Sequence, residues 1–498
     1  MPRKGSTKVR TGCLTCKVRK VKCDEGKPRC QRCETTGRKC DGYMLVAPSS
    51  SLSWHRPRHL FSNIDDASER RALQFFCRNA GPFLSGQMDP YFWTHLVMQF
   101  STFEPSVRHS VVAISSLYEQ MHFSPASKND LANDRLALRH YNAAIRQLKL
   151  MNNEPLVLLV CVLFICIEFL LGNREAAIQH CKHGVFILKN VEASYPWTRE
   201  HLSPIFRRLT LFPFFFALDN TSFPKLDLDN QIPRSFASFL DAQYFIDGII
   251  TRTVRLVRWG DDYRLKDKRH SPVSPKLLLE QDKIKNLLSE WSARFSDFRK
   301  GPSALGSPNE RLCNVIFRYE IARIWVDLCF VYEETAYDRY IDKFRYMVGQ
   351  AARLESQQKD TQETPKFIFE AGFVPLIYYI VIKCRCLNTR TQALSLMRRL
   401  GVSRENLWEL SLMYAVGRRF IEIEHDTLLD ETNQPRSTVR WPGLPPDEMR
   451  IRDSTTDPML TKKVDEQGRE TCGRMAGFFR RTVEGAIYLQ TEFIIETT

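Results

Sequence analysis

The stretch GCLTCKVRKVKCDEGKPRCQRCETTGRKCDG, close to the N-terminus, constrains this chain more than any other feature. Its six cysteines read Cys13-x2-Cys16-x6-Cys23, then six residues, then Cys30-x2-Cys33-x6-Cys40, so one half-unit occurs twice. So short a segment cannot build a hydrophobic core, and bonds through sulfur must supply its folding energy. Two residues between cysteines let both sulfurs of a pair face one metal, the usual zinc-knuckle spacing. One tetrahedral zinc takes four thiolates, and two separate zincs would take eight. Six suffice for two zincs only when two sulfurs are shared. The spacing therefore predicts a two-zinc cluster with two bridging thiolates.

Three disulfides in a secreted domain are the competing explanation. The opening MPRKGSTKVRTG lacks the apolar core of a signal peptide. The chain has 15 cysteines, an odd number, and those outside the repeat are scattered, several within apolar runs. That is how an intracellular protein uses reduced cysteine. A zinc store would not need the long chain that follows.

Residues 1–45 carry thirteen Lys or Arg against four Asp or Glu, a net charge of +9 out of +15 for the whole chain. Six thiolates and two Zn2+ would lower this by only two. A module this basic is an electrostatic footprint for phosphate. The run CKVRKVKC sets Lys17, Arg19, Lys20 and Lys22 between two expected zinc ligands. A short helix from Cys16 onward, clamped by metal, would present these cations together. That suits the major groove, where Lys and Arg donate to guanine O6 and N7. Taken alone, such a run reads as a solvated face or a nuclear-import signal.

The pattern resembles the fungal-type Zn2Cys6 binuclear-cluster DNA-binding domain of transcription factors. All six cysteines, the basic run and a proline between the halves match, within about residues 13–43. The resemblance implies that Cys13 and Cys30 bridge the two zincs, with Cys16 and Cys23 completing one site and Cys33 and Cys40 the other. It places Lys20, with Arg19 beside it, where the family contacts a CGG triplet. The expected DNA-binding set is Lys17, Arg19, Lys20, Lys22, Arg29 and Arg32. Pro28 falls at the loop proline that the family can hold in the cis form. Residues 1–12, with Arg3, Lys4, Lys8 and Arg10, form a basic arm.

Residues 44–64, with VAPSSSLSWHRPRH, read as a flexible linker. Relatives often place a coiled coil here, but Pro48 and Pro57 interrupt the segment and its apolar residues keep no heptad. The remainder, 65–498, reads as an all-α domain of stacked helical hairpins in two lobes. Asp66 and Glu69 have capping-box spacing, and Gly81 is expected to stop that first helix. A helix is expected over 131–151. Leu156–Leu171 is apolar except for Glu168, short for a membrane span, and reads as a buried helix. Gly172-Asn173 should break it and cap its hairpin partner. Further helices are expected near 241–258, 276–298, 311–333, 337–355, 367–387, 405–424 and 472–494. His180, Cys181 and His183 invite a metal site, but Cys181 belongs to the apolar stripe. ALDNTSFPKLDLDN could be an activation segment but reads better as a loop. The segments ALQFFCRNAGPFLSG and LLVCVLFICIEFLLGN resemble the fungal-specific transcription factor domain, which implies a regulatory role and carries no site residues.

The chain contains no GxSxG, HExxH, P-loop or GxGxxG sequence, and no enzyme is expected. A chromatin or RNA-binding adaptor, using the zinc module as a basic docking surface, is the alternative. Readers of single strands stack bases on aromatics, and none lies between Cys13 and Cys40. The residues therefore point to duplex DNA. The expectation is a nuclear, zinc-dependent, sequence-specific transcription factor for RNA polymerase II genes, reading CGG-type triplets. It would engage co-regulators or the transcriptional machinery and no membrane. The resemblance suggests control of a metabolic or secondary-metabolite gene cluster.

Overall fold

The computed structural model describes residues 11–43 and 61–496, apart from 62–63, 87, 89, 124–130, 193, 217–222, 225, 227–230, 267, 269–270, 302–308, 358–363, 437, 442, 465–469 and 483. The basic arm at 1–10 and nearly all of the expected linker lie outside the described residues, as does most of ALDNTSFPKLDLDN. The chain falls into two compact units, one holding the cysteine module and one starting at Phe61.

The module contains two short helices, α1 (Leu14–Val18) and α2 (Gln31–Glu34). The larger unit is mostly helical, as expected. Its first helix, α3 (Ala67–Phe75), is capped by Asp66, whose carboxylate accepts from the N–H groups of Ser68 and Glu69. Gly81 does not stop it. A π-helical turn over Phe76–Ala80 carries the chain into a further helix, Gly81–Leu84, with Pro82 in its first turn. Next come α4 (Pro105–Phe123) and α5 (Arg135–Leu148).

At the centre of the first apolar cluster lies α6 (Glu154–Leu171), which starts on an Asn153 cap and ends at Gly172 with φ +74°. Starting at Glu154, two residues before the apolar run, the helix reaches 18 residues and so is long and apolar enough for a membrane span, yet 83% of it is buried inside the fold. Glu168, within this helix, accepts a 2.6 Å hydrogen bond from the Tyr141 hydroxyl. Asn173 caps the return helix, α7 (Arg174–Val191), and the expected hairpin forms.

A second cluster joins α8 (Phe239–Arg264), α9 (Pro275–Lys300) and α10 (Glu310–Leu328). A third joins α10 to α11 (Ile341–Glu355), α12 (Val374–Lys383), α13 (Leu387–Leu400) and α14 (Leu410–His425). These three clusters sit in one compact unit, not in two lobes.

Strands interrupt the helices in two places. β1 (Phe367–Ile368) pairs in parallel with β2 (Arg404–Glu405), which pairs antiparallel with β3 (Trp408–Glu409). The helices expected at 367–387 and 405–424 therefore begin later, at Val374 and Leu410. The helix expected at 472–494 does not exist. There β6 (Glu470–Arg481) pairs antiparallel with β4 (Asp453–Thr456), β5 (Thr461–Val464) and β7 (Ile487–Ile495). A Cβ on Gly473 would meet the Ile494 carbonyl oxygen at 2.2 Å, so glycine is what lets β7 lie this close. Alternate β6 residues Arg474, Ala476 and Phe478 are buried, and the last two join the third cluster.

Candidate metal centre and nucleic-acid interface

The two half-units fold alike because their backbones meet the same requirements. Cys13 precedes α1 and its sulfur accepts from the Cys16 N–H at 3.4 Å; Cys30 precedes α2 and accepts from the Cys33 N–H at 3.3 Å. Each sulfur thus caps its helix. Each helix closes in a Schellman motif. The Val21 N–H reaches the Cys16 carbonyl and the Lys20 N–H reaches that of Lys17. Seventeen positions on, Arg38 reaches Cys33 and Gly37 reaches Glu34. The motif requires a left-handed residue. Gly37 fills that place with φ +62°, and Lys20 fills its counterpart with φ +53°.

The caps bring the sulfurs together. Cys13 Sγ lies 3.6 Å from Cys30 Sγ, and Cys16 Sγ lies 3.7 Å from it. Disulfide sulfurs would be about 2.05 Å apart. Tetrahedral Zn–S bonds of about 2.3 Å set neighbouring sulfurs about 3.8 Å apart. Two four-sulfur groups form: Cys13, Cys16, Cys23 and Cys30, and Cys13, Cys30, Cys33 and Cys40. They share Cys13 and Cys30, the pair that the resemblance assigns as bridges. Burial pushes the Cys13 thiol up to about 12 and raises Cys30 further. A cation at the centre would offset the cost of ionising these two. Burial also acts upward on Cys23, but N–H groups of Cys13 and Glu25 hold it down near about 7. All-sulfur donors in two tetrads fit two zinc ions and would suit hard, oxygen-preferring cations poorly.

Around this centre Lys17, Lys20, Lys22, Arg29 and Arg32 are exposed. Among the described residues, none of the five has a carboxylate in ion-pair reach. Helix α1 ends at Val18, so Arg19 and Lys20 lie in the turn that closes it, not along a helix running on from Cys16. Arg19 is half-buried and its Nη1 donates to Thr36 Oγ1 at 3.4 Å, tying the first half to the second. The Lys27–Pro28 peptide is cis.

Sequence reasoning missed three supporting residues. The exposed Asp24 accepts from the N–H groups of Gln31 and Arg32, each at 2.9 Å, and these, Arg32 foremost, hold its carboxyl below the usual range. Thr15 Oγ1 donates to Asp41 at 2.9 Å, fastening the two ends of the module. The Tyr43 hydroxyl donates to the Gly26 carbonyl at 2.8 Å. The one available signal was the acidic pair Asp24-Glu25 interrupting a basic run.

Outside the module, Glu69, His109 and His140 also converge. Arg139 Nη2 donates to His140 Nε2 at 3.2 Å, so the His140 proton lies on Nδ1, 3.0 Å from His109 Nδ1. The two rings satisfy one another without a metal. His180 meets the Tyr141 hydroxyl and Cys181 is buried, and with His183 they form no ligand group among the described residues.

Residues 11–45 match the family model described as the fungal Zn(2)-Cys(6) binuclear cluster domain, a domain that binds two zinc ions. The chain is similar to the aspercryptin biosynthesis cluster-specific transcription regulator atnN of Emericella nidulans, 32% identical over 218 residues. It is also similar to the transcription regulator lscL of Purpureocillium lilacinum, 29% identical over 210 residues. Each match covers 36% of this chain, and 34% and 49% of the respective relatives. The arginine metabolism regulation protein II of Saccharomyces cerevisiae is 47% identical over 53 residues, 11% of this chain and 6% of that protein. No solved structure matches.

Proposed function

Starting from an N-terminal Zn(2)-Cys(6) binuclear cluster domain, we propose that the chain is a zinc-dependent, sequence-specific DNA-binding transcription regulator. The observation that carries this reading is a set of exposed cations, Lys17, Lys20, Lys22, Arg29 and Arg32, without a carboxylate partner among the described residues, around two sulfur tetrads that share Cys13 and Cys30. In this reading all six cysteines are zinc ligands, and zinc supplies the crosslink that a core would otherwise provide. Lys17, Lys22, Arg29 and Arg32 hold phosphate, which fixes register without reading sequence. Lys20 reads base edges of a CGG-type triplet, and Arg19 braces the turn that presents it. The basic arm adds phosphate contacts. Residues 44–64 tether the module to a regulatory helical body, which passes occupancy to co-regulators or the transcriptional machinery.

Such a protein works in the nucleus. Regulation of a biosynthetic gene cluster is supported by the similarity to a regulator named for the aspercryptin cluster. The activity is binding, with no chemical step. The test is selection of duplexes from a randomised pool by the full chain. The expected result is enrichment of a CGG triplet in fixed register. Recovery of no motif, or stronger retention of single-stranded RNA than of duplex, would favour a docking adaptor instead.

A further inference from the structure

The helical body contains a cavity of about 680 Å3, within the size that takes small organic ligands. Residues from α7, α8, α10, α12, β3 and β4 line it, and none comes from the cysteine module. Part of the wall is a continuous aromatic belt. Phe216 lies 5.0 Å from Trp408, and Trp408 lies 5.4 Å from Phe215, ring centre to ring centre. Phe215 stacks on Trp325 at 6.2 Å, and Trp325 meets Tyr379 edge-on at 4.9 Å. These rings come from chain segments far apart in sequence, so the belt is a product of the tertiary fold.

The polar part of the wall is cationic, and most of its charge is already spent. Arg208 holds Glu370 at 2.8 Å, Arg258 holds Asp453 at 3.2 Å, and Lys383 holds Glu334 at 3.1 Å. Arg174 differs. It is the first residue of α7, half-buried, with its guanidinium 5.3 Å above the Phe216 ring. Among the described residues no carboxylate lies in ion-pair reach of it. Glu409, which attracts it from a distance, is bound by Arg474 at 2.8 Å. Burial lowers the Arg174 pKa, as expected of a cation that has lost water and, among the described residues, gained no anionic partner. A second polar group is also unfilled: Tyr379 is 4% exposed and its hydroxyl has no hydrogen-bond partner among the described residues. Buried polar groups seldom stay unpaired.

We propose that this cavity binds a flat, conjugated organic anion, its ring system against the Phe216–Trp408–Phe215–Trp325 belt and its acidic group at Arg174. Aromatic walls favour planar, polarisable bodies, and a partly desolvated guanidinium makes its strongest hydrogen bonds to an anion. The site is independent of the DNA-binding reading.

Two fluorescent dyes of nearly equal ring system test it on the full chain: 1-anilinonaphthalene-8-sulfonate, which is anionic, and N-phenyl-1-naphthylamine, which is neutral. The sulfonate should bind saturably at one site, and more tightly than the neutral dye. Arg174→Gln should weaken the sulfonate about tenfold, the scale of one charge-assisted hydrogen bond, and leave the neutral dye unchanged. Arg174→Lys should recover most of the loss. Trp408→Leu should weaken both dyes, with circular dichroism checking that each variant keeps its helices. Unsaturable binding, equal affinity for the two dyes, or an Arg174→Gln chain that binds both as the parent does would overturn the proposal.

Discussion

Lys20 holds a left-handed conformation that its counterpart in the second half-unit, position 37, gives to glycine. Left-handed backbone costs a side chain about 1 kcal/mol that glycine avoids. A lysine kept there is a hint that the side chain matters more than the turn. Lys20→Gly should therefore stabilise the zinc-loaded module by up to about 1 kcal/mol while abolishing its sequence preference. Lys20→Ala should cost roughly 1–3 kcal/mol on a CGG duplex and relax discrimination there, whereas Lys22→Ala should weaken every sequence evenly. Binding isotherms on matched and shuffled duplexes separate these effects; an equal loss on both for Lys20→Ala would remove it as the base reader. Among the cysteines, Cys13→Ser should disturb both zincs and Cys23→Ser one, as metal counting by elemental analysis would register.

At the scale of elements, the module's helices owe their ends to sulfur caps and Schellman turns, and the body's third cluster owes much to buried charge. Glu334 is 3% exposed and forms ion pairs with Lys383, Arg385 and Arg264 at 3.1, 3.0 and 3.6 Å. Burial alone would raise its carboxyl, but Lys383 and Arg385 outweigh it and hold the group near about 2. Its ionised form therefore contributes stability that is full above its ordinary value of 4.5 and is lost as pH falls toward about 2. Glu334→Gln would take from buried Lys383 its carboxylate partner, while Arg385 keeps Glu424 and Arg264 keeps Asp261, and should cost about 3–5 kcal/mol at neutral pH. It should also flatten the stability profile between those two values. Urea unfolding across that range checks both; an unchanged midpoint would mean that the cluster is solvated.

The sequence made the cysteine repeat, the α6–α7 hairpin and its Asn and Gly punctuation legible, because each is a local pattern with one physical solution. The strands at 453–495 were not. TCGRMAGFFRRTVEGAIYLQ carries enough apolar residues at helical spacing to pass for a helix, but the glycines at 473 and 477 argue against one. Each costs a helix about 1 kcal/mol, and here both lie where β7 approaches β6 closely. Similarly, α1 was placed two residues late, because its start depends on Cys13 acting as a cap, which spacing does not reveal. The sharing of Cys13 and Cys30 came from the family resemblance, and the Arg174 cavity needed segments far apart in sequence brought together by folding.

At the scale of the whole molecule, a single module reads about three base pairs, too few to single out a gene. Relatives that dimerise gain specificity from half-site spacing. The proline- and serine-bearing segment after Cys40 offers no heptad, so we expect one chain per triplet, with the basic arm extending the contact. Light scattering of the full chain with and without a one-triplet duplex tests this; binding only to paired half-sites at one fixed spacing would refute it. In the proposed mechanism zinc, held by six thiolates of which Cys13 and Cys30 are shared, builds a reader of duplex DNA. Fluorescence anisotropy of a labelled CGG duplex, run with the full chain before chelation, after chelation and after adding zinc back, measures it most directly. The expected result is tight binding with two zincs per chain, loss of the CGG preference on chelation, and recovery as the second zinc is restored. Full, sequence-selective binding by the chelated chain, or recovery with a single zinc, would contradict it.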